Sequence, residues 1–252
     1  MSKLTSDQTK IFNLPNTRRS RHAAMHRETG RAEQRNLFLQ RFLATILVFW
    51  GVVQATMTRA DEFTQTEQDQ RLSKLLNEKR SHWRDLNVPF QDGVFLRNFI
   101  LERNVRSVVE IGTSTGHSGL WIAWGLTKTD GRLVTFEIDE QRYRTAQKNF
   151  TEARLADHID SRLESARTGI LAVKVPVDMV FLDGDRSHYR HYFETLSPML
   201  SDGGCFVTHN IGSSFWDAEG YLTMVRGTSG FETEIVQPSN EAIAITCKIG
   251  SS

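Results

Sequence analysis

The pattern of hydrophobic and polar positions predicts alternating strands and helices over most of the chain, from residue 88 to residue 248. Short apolar runs have the length of buried strands, and the stretches between them repeat apolar residues with a helical period. Strands are predicted at residues 107–111, 132–137, 158–163, 177–182 and 205–208. Helices are predicted at residues 61–87, 117–126, 187–200 and 217–226, with Asp92 capping a helix to Arg103 and Asp139 capping one to Ala153.

The order of these elements indicates the fold class. Strands separated by helices imply right-handed crossovers and therefore a parallel, doubly wound sheet of the Rossmann-like α/β class. The last two predicted strands, residues 231–236 and 242–248, are joined by a connection that is too short for a crossover. They therefore form an antiparallel hairpin, and the prediction is a mostly parallel sheet that ends in an antiparallel C-terminal hairpin.

The first sixty residues have a different character from the rest. Residues 1–36 are basic, polar and without periodicity, which predicts disorder. Residues 37–60 contain a charge-free run, residues 42–53, that is shorter than the roughly twenty residues of a bilayer-spanning helix but has the length of the apolar part of a secretory signal. We expect a signal or membrane anchor here, with membrane contact through residues 37–57. The alternative is an amphipathic helix packed on the following domain, residues 61–252, in a cytoplasmic protein.

Composition adds two constraints. The net charge of +1 gives no reason to expect a nucleic-acid partner. The two cysteines, Cys205 and Cys247, are too few for a disulfide framework and have no zinc-ligand spacing. In the predicted fold the last strand lies beside the fifth, so we expect the two cysteines to be neighbours, but reduced.

A glycine-rich turn follows the first predicted strand. Gly112 and Gly116 lie between Glu110 and the start of a helix at His117 and Ser118. Glycines there let a ligand approach the backbone, and the helix N-terminus presents free N–H groups to an anion. The spacing lacks the GxGxxG of dinucleotide-binding proteins and suits a ligand carboxylate better than a pyrophosphate.

Three further groups of polar residues end neighbouring strands. Glu137 ends the second strand, where an acid can accept hydrogen bonds from both hydroxyls of a ribose. Asp183 and Arg186 follow the fourth strand, and His209 and Asn210 follow the fifth. Asp183, His209 and Asn210 are therefore predicted ligands of a divalent cation at the carboxyl edge of the sheet. The alternative is that His209 and Asn210 satisfy loop backbone.

Together these motifs resemble the catechol O-methyltransferase and caffeoyl-CoA O-methyltransferase group. The resemblance starts at Asn87 and Val88 and includes the turn from Glu110 to Ser118. It continues through residues 136–138, 179–183, 203–204 and 221–231. It implies a seven-stranded class I methyltransferase fold that binds S-adenosylmethionine.

The resemblance also assigns site residues. It places Val88, Glu110 and Ser118 around the methionine end of the cofactor, beside Gly112 and Gly116, and Glu137 on its ribose. It places Ser165 where the family contacts adenine, although this chain lacks the usual Gly-Asp there. Asp183 matches a residue that in the family serves both metal and cofactor.

Two departures from the family pattern concern catalysis. His209-Asn210 stands where the family has Asp-Asn as metal ligands, and Arg186 stands where it often has a catalytic lysine. Arginine stays charged and cannot be a general base, although it can stabilise an anion. We therefore expect Asp183, Arg186 and His209 to be catalytic, with His209 either a ligand of a metal softer than magnesium or the base. His188 is an alternative base.

These observations predict methyl transfer from S-adenosylmethionine to a hydroxyl of a small-molecule acceptor. The alternative is a cofactor-binding domain that has lost catalysis and serves as a membrane-bound or exported interaction module. The changed residues at the metal and base positions favour this alternative, whereas the glycine turn and Glu137 oppose it.

Overall fold

The computed structural model describes residues 66–83, 86–174, 176–212 and 216–250. The predicted disordered segment 1–36 and the predicted signal or anchor segment 37–60 lie outside these residues. Within the described ranges, no helix is long and apolar enough to cross a membrane.

Seven helices and seven strands make up the regular structure of the described chain. The helices are α1 (Glu67–Glu78), α2 (Phe90–Arg103), α3 (His117–Thr129), α4 (Glu140–Glu152), α5 (Ala166–Gly169), α6 (Tyr189–Leu196) and α7 (Ala218–Gly227). The strands are β1 (Ser107–Ile111), β2 (Arg132–Glu137), β3 (Ile159–Leu163), β4 (Val177–Leu182), β5 (Leu200–Thr208), β6 (Phe231–Val236) and β7 (Ile243–Lys248).

All seven strands form one sheet in the order β3-β2-β1-β4-β5-β7-β6. The first five pair in parallel, whereas β7 pairs antiparallel with both β5 and β6. This arrangement confirms the predicted doubly wound sheet with its antiparallel C-terminal hairpin.

The sheet separates two hydrophobic cores because neighbouring strand residues point to opposite faces. One core joins Val109 and Val180 to residues of α6 and α7 such as Phe193. The other joins Val108 and Met179 to residues of α2 and α3. Helices of the described chain therefore lie on both faces of the sheet.

Three predicted helix boundaries are wrong. The helix predicted over residues 61–87 ends at Glu78, and a turn follows it. Helix α2 begins at Phe90 with Pro89 at its N-cap and no side-chain cap, so Asp92 does not cap it. The helix predicted over residues 187–200 ends at Leu196, because a short 3-10 turn containing Pro198 separates it from β5.

The prediction that Cys205 and Cys247 are neighbours is confirmed, but the prediction that they are reduced is wrong. The two residues face each other directly in the β5–β7 register, and a disulfide joins them. Their Cα atoms are 4.0 Å apart, within the limit of about 7 Å beyond which no bridge can form. The bridge fastens the terminal hairpin to the parallel part of the sheet.

Candidate active site

The loops after β1 and β4 meet at the point where the strand order of the sheet reverses. Such a switch point leaves a crevice outside the carboxyl ends of the strands, where ligands of open α/β sheets bind. Gly112 and Gly184 pack backbone against backbone there: a Cβ atom added at Gly112 would lie 2.9 Å from the Gly184 Cα. Gly112 also has a φ of +98°, a conformation that strongly favours glycine. The turn is therefore built to keep side chains out of the crevice.

Glu137 lies beside this turn and is held by backbone amides. Its Oε2 accepts a hydrogen bond from Ser114 N (2.7 Å), and its Oε1 accepts from Ile138 N and Asp139 N (2.9 Å each). A carboxylate has about four acceptor positions, and these three bonds leave capacity for a further donor. The carboxylate is thus fixed at the end of β2 with room to accept a bond from a ligand hydroxyl.

Glu110 presents an unpartnered oxygen from the neighbouring strand, β1. Its side chain is fully buried, and its Oε2 accepts a hydrogen bond from Thr135 Oγ1 (2.6 Å). The Ser118 side chain also hydrogen-bonds to this carboxyl group. Its Oε1 has no hydrogen-bond partner among the residues that the structure describes. Desolvation by burial raises the pKa of Glu110 to about 7, against the opposing effect of the hydrogen bonds from Ser118 and Thr135. A cationic ligand group at Oε1 would provide the hydrogen-bond partner that this oxygen lacks and a positive charge beside the carboxylate.

The predicted residues Val88, Gly116 and Ser165 complete the surroundings of the turn. Val88 is buried, and its carbonyl accepts from His117 Nδ1 (2.9 Å), which ties the segment before α2 to the start of α3. Gly116 has a φ of +93° and forms the N-cap of α3. Ser165, half-buried, is the N-cap of α5 just beyond the carboxyl end of β3. These positions lie along the carboxyl edge that the sequence predicts.

His117 is neutral and structural. Its Nδ1 faces the Val88 carbonyl, while its Nε2 accepts from Trp121 Nε1 (3.0 Å), so the ring carries its proton on Nδ1. Burial lowers the pKa of His117 to about 4 despite the bond to Val88. The ring of Trp83 stacks on it at 4.7 Å between centroids. The residue therefore braces the turn and takes no part in proton transfer.

A buried chain of three titratable residues lies at the ends of β4 and β5. His209 Nδ1 contacts Asp183 Oδ1 (3.0 Å), and His209 Nε2 contacts Asp92 Oδ2 (2.8 Å). Ser239 Oγ donates to the same Asp92 oxygen (2.8 Å). The Asp92 and His209 side chains are almost fully buried, at 0% and 3% exposure, and Asp183 is 9% exposed.

The contacts of His209 decide its protonation. Burial alone would lower its pKa, but hydrogen bonds to Asp183 and Asp92 and attraction to both carboxylates outweigh it and raise the pKa to about 9. Both ring nitrogens therefore carry protons at neutral pH. A protonated ring with both nitrogens engaged is neither a free base nor a metal ligand.

Arg186 and Asn210 form a second polar group at the same edge. The hydrogen-bond network orients the Asn210 amide so that its oxygen accepts from Arg186 Nη2 (2.7 Å) and its nitrogen donates to Glu241 Oε2 (2.7 Å). Arg186 Nη2 also lies 3.6 Å from Asp183 Oδ1, and a third of the arginine side chain is exposed. The other predicted base, His188, contacts Asp185 instead of this group.

The structure thus brings Asp183, His209 and Asn210 together as the sequence predicts, but their arrangement does not fit a resident cation. Both nitrogens of His209 face carboxylates, and the Asn210 oxygen faces the Arg186 guanidinium. No cluster of three His, Cys, Asp or Glu side chains within the described ranges is arranged to hold a metal ion.

Three residues of this site escaped the sequence analysis: Asp92, Ser239 and Glu241. Asp92 was interpreted as a local helix cap, whereas its partner His209 is 117 positions away in the sequence. Ser239 and Glu241 lie in the connection between β6 and β7. Because β7 runs antiparallel to β5, the residues before it lie at the carboxyl end of β5, a signal that the topology contained.

Known proteins resemble this chain in sequence over part of their length. A catechol O-methyltransferase from Niastella koreensis is 32% identical over 131 residues, 50% of this chain and 58% of that protein. A flavonoid 3',5'-methyltransferase from Vitis vinifera is 26% identical over 151 residues, 57% of this chain and 63% of that protein. The matches thus span about three fifths of these curated relatives.

Solved structures share the fold more completely. An O-methyltransferase from Bacillus cereus in complex with SAH (S-adenosylhomocysteine) superposes with a TM-score of 0.62 at 22% identity, covering 76% of this chain and 96% of that one. The TomG O-methyltransferase from Streptomyces achromogenes, in complex with SAM (S-adenosylmethionine), gives a TM-score of 0.60 at 23% identity, covering 78% and 96%. In addition, the family model described as O-methyltransferase matches residues 62–245. The chain therefore belongs to the O-methyltransferase family.

Proposed function

We propose that this chain transfers the methyl group of S-adenosylmethionine to a hydroxyl oxygen of a small molecule. The observation that carries the proposal is the unpartnered, buried Oε1 of Glu110 beside the Gly112 turn. An amino-acid ligand presents an ammonium group that meets the need of this oxygen, and few other metabolites combine it with a ribose for Glu137. Membership in the O-methyltransferase family supports the same cofactor.

In this proposal, different described residues bind different parts of the cofactor. Glu110 takes the ammonium group, and the N-terminus of α3, with Ser118 in its first turn, lies near the carboxylate. Glu137 accepts from the ribose hydroxyls, and Ser165 lies toward the adenine at the end of β3. Val88 contributes apolar surface near the methionine end.

Catalysis depends mainly on alignment and charge. The cofactor supplies a methyl group already activated by its sulfonium, so the protein has to orient the acceptor oxygen for in-line displacement and exclude competing water. The Arg186 guanidinium, partly exposed at the edge of the crevice, can stabilise the acceptor oxygen as its proton passes to solvent water. His209 holds Asp183 in place and does not itself take that proton.

The relatives suggest a class of acceptor. Their printed names, catechol O-methyltransferase and flavonoid 3',5'-methyltransferase, refer to aromatic molecules with neighbouring hydroxyls. We propose an acceptor of this kind, a small molecule that offers a phenolic hydroxyl.

The test is methyl transfer from S-adenosylmethionine labelled in its methyl group, measured on a panel of catechols, other phenols and matched amine and thiol compounds. We expect labelled methyl ethers. Transfer only to nitrogen or sulfur would contradict the oxygen acceptor. Cofactor binding without transfer to any compound of the panel would favour the catalytically impaired module. The observation that supports this alternative is that the Arg186 and His209 side chains already contact other groups of the protein.

We also propose that residues 37–60 act as a signal or anchor. The support is the charge-free run 42–53 behind a basic flank, together with a disulfide, which persists in oxidising compartments. Fractionation of the native protein and N-terminal sequencing of its mature form test this. Recovery of the uncleaved chain in the soluble cytoplasmic fraction would contradict it.

A further inference from the structure

Several polar groups at the ends of β4 and β5 contact one another. Asp183 Oδ1 contacts both His209 Nδ1 (3.0 Å) and Arg186 Nη2 (3.6 Å). The Asn210 oxygen accepts from the same guanidinium nitrogen (2.7 Å). Asp183 Oδ1 and the Asn210 oxygen, two atoms that could bind a cation here, are therefore directed at cationic side chains of the protein.

The geometry of His209 gives the charge of the cluster. A neutral imidazole has a single N–H, so it can donate to only one of two ionised carboxylates. Here both nitrogens lie within 3.0 Å of carboxylate oxygens, those of Asp183 and Asp92. With both carboxyl groups ionised, both contacts are favourable hydrogen bonds only if the ring is an imidazolium. The ring then provides a positive charge between two buried negative ones.

We infer that the His209 imidazolium and the Arg186 guanidinium take the place of a divalent cation in this active site, so that methyl transfer proceeds without a bound metal. The inference rests on the proposed function for its catalytic part, whereas its statement about metal binding concerns only these side chains. Asp92, held by Ser239, is in this reading a positioning residue: it fixes the His209 ring, which in turn fixes Asp183.

A carboxylate in place of the His209 ring should create a cation site. His209→Asp removes the ring and leaves carboxylates at positions 92, 183 and 209 around the space it occupied. Three carboxylates with Asn210 nearby are hard oxygen ligands of the kind that Mg²⁺ and Mn²⁺ prefer. The variant should therefore gain a cation site that the native chain lacks. His209→Gln is the matched control, because it removes the ring without adding a carboxylate.

Calorimetric titration of Mn²⁺ into the full-length native chain and both variants tests this. We expect no saturable binding by the native chain or by His209→Gln, and binding of one Mn²⁺ by His209→Asp with a Kd of about 1 mM or tighter. One Mn²⁺ bound by the native chain and lost in Asp183→Asn would overturn the inference. A folded His209→Asp chain that binds no Mn²⁺ would also overturn it. If that variant does not fold, the native titration alone decides.

A titration of SAH into the same native preparation separates this inference from the proposed function. Binding of SAH together with one Mn²⁺ at Asp183 would contradict the inference and leave the methyltransferase assignment standing. Absence of SAH binding would contradict the proposed function, whatever the Mn²⁺ result.

Discussion

Replacing Asp92 with asparagine removes one of the two carboxylates that contact His209 and keeps the size of the side chain. Since His209 Nε2 lies 2.8 Å from Asp92 Oδ2 in a fully buried setting, the amide oxygen can still accept the hydrogen bond, and the loss is mainly one of charge. The rise in the His209 pKa from 6.5 to about 9 corresponds to about 3 kcal/mol of folding free energy. Removing one of two similar carboxylates should therefore cost about 1–2 kcal/mol of it.

The charge on His209 determines how the stability difference between the native chain and Asp92→Asn changes with pH. A folded pKa above the unfolded value means that His209 stabilises the protein fully below about pH 6.5, and that the contribution is lost as the pH rises through about 9. The stability difference between the native chain and Asp92→Asn should thus be larger at about pH 6 than at about pH 10, by about 1–2 kcal/mol.

Urea unfolding of both proteins at these pH values measures the difference, and other titrating groups cancel between them. Asp157→Asn, at an exposed aspartate outside the site, is the matched control and should show no such pH dependence. A deficit of the Asp92→Asn variant that is the same at both ends of the range would refute the charged His209.

Three further perturbations test the glycine turn, the disulfide and the Ser239 contact. Gly112→Ala places a Cβ atom 2.9 Å from the Gly184 Cα at a φ of +98°. It should therefore lower the free energy of unfolding by about 1–3 kcal/mol and weaken SAH binding. Native values of both, measured by urea unfolding and calorimetry, would contradict the close approach. Replacing both Cys205 and Cys247 with serine opens a loop with a sequence separation of 42 and should lower the free energy of unfolding by about 4 kcal/mol. Thiol titration of the unfolded, unreduced native protein should count no free thiol. A count of two would contradict the bridge. Ser239→Ala should lower the free energy of unfolding by about 1–2 kcal/mol. In the Asp92→Asn background the same substitution should cost far less, which a double-mutant cycle measures. Additive effects would argue against the contact between Ser239 and Asp92.

The regular elements were predictable because their signals are local. The strands at residues 107–111, 132–137 and 177–182 match β1, β2 and β4, since uninterrupted apolar runs bounded by turn residues have few other interpretations. The hairpin followed from a connection too short for a crossover. The helix expected over residues 187–200 failed because Pro198 and the early start of β5 shorten it, a boundary that hydrophobic period alone does not mark.

The chemistry of the site was less predictable because it depends on long-range contacts. Motif position placed Asp183, His209 and Asn210 at one edge, but it gave no information on what each atom contacts. An aspartate in the first turn of a helix is usually explained by local capping, and nothing near Asp92 in the sequence indicates a partner such as His209. Likewise, the state of Cys205 and Cys247 depends on strand register, which spacing does not specify.

Calorimetric titration of SAH into the full-length chain measures cofactor binding. Glu137→Ala is the test variant, and Glu232→Ala is an exposed control on β6. We expect one SAH bound per native chain, unchanged by a chelator and by Glu232→Ala. Binding should be weaker by about 1–3 kcal/mol in Glu137→Ala, because the ribose hydroxyls lose their acceptor. A native chain that binds no SAH at millimolar concentration, or one whose binding is indifferent to Glu137, would contradict the proposed cofactor site.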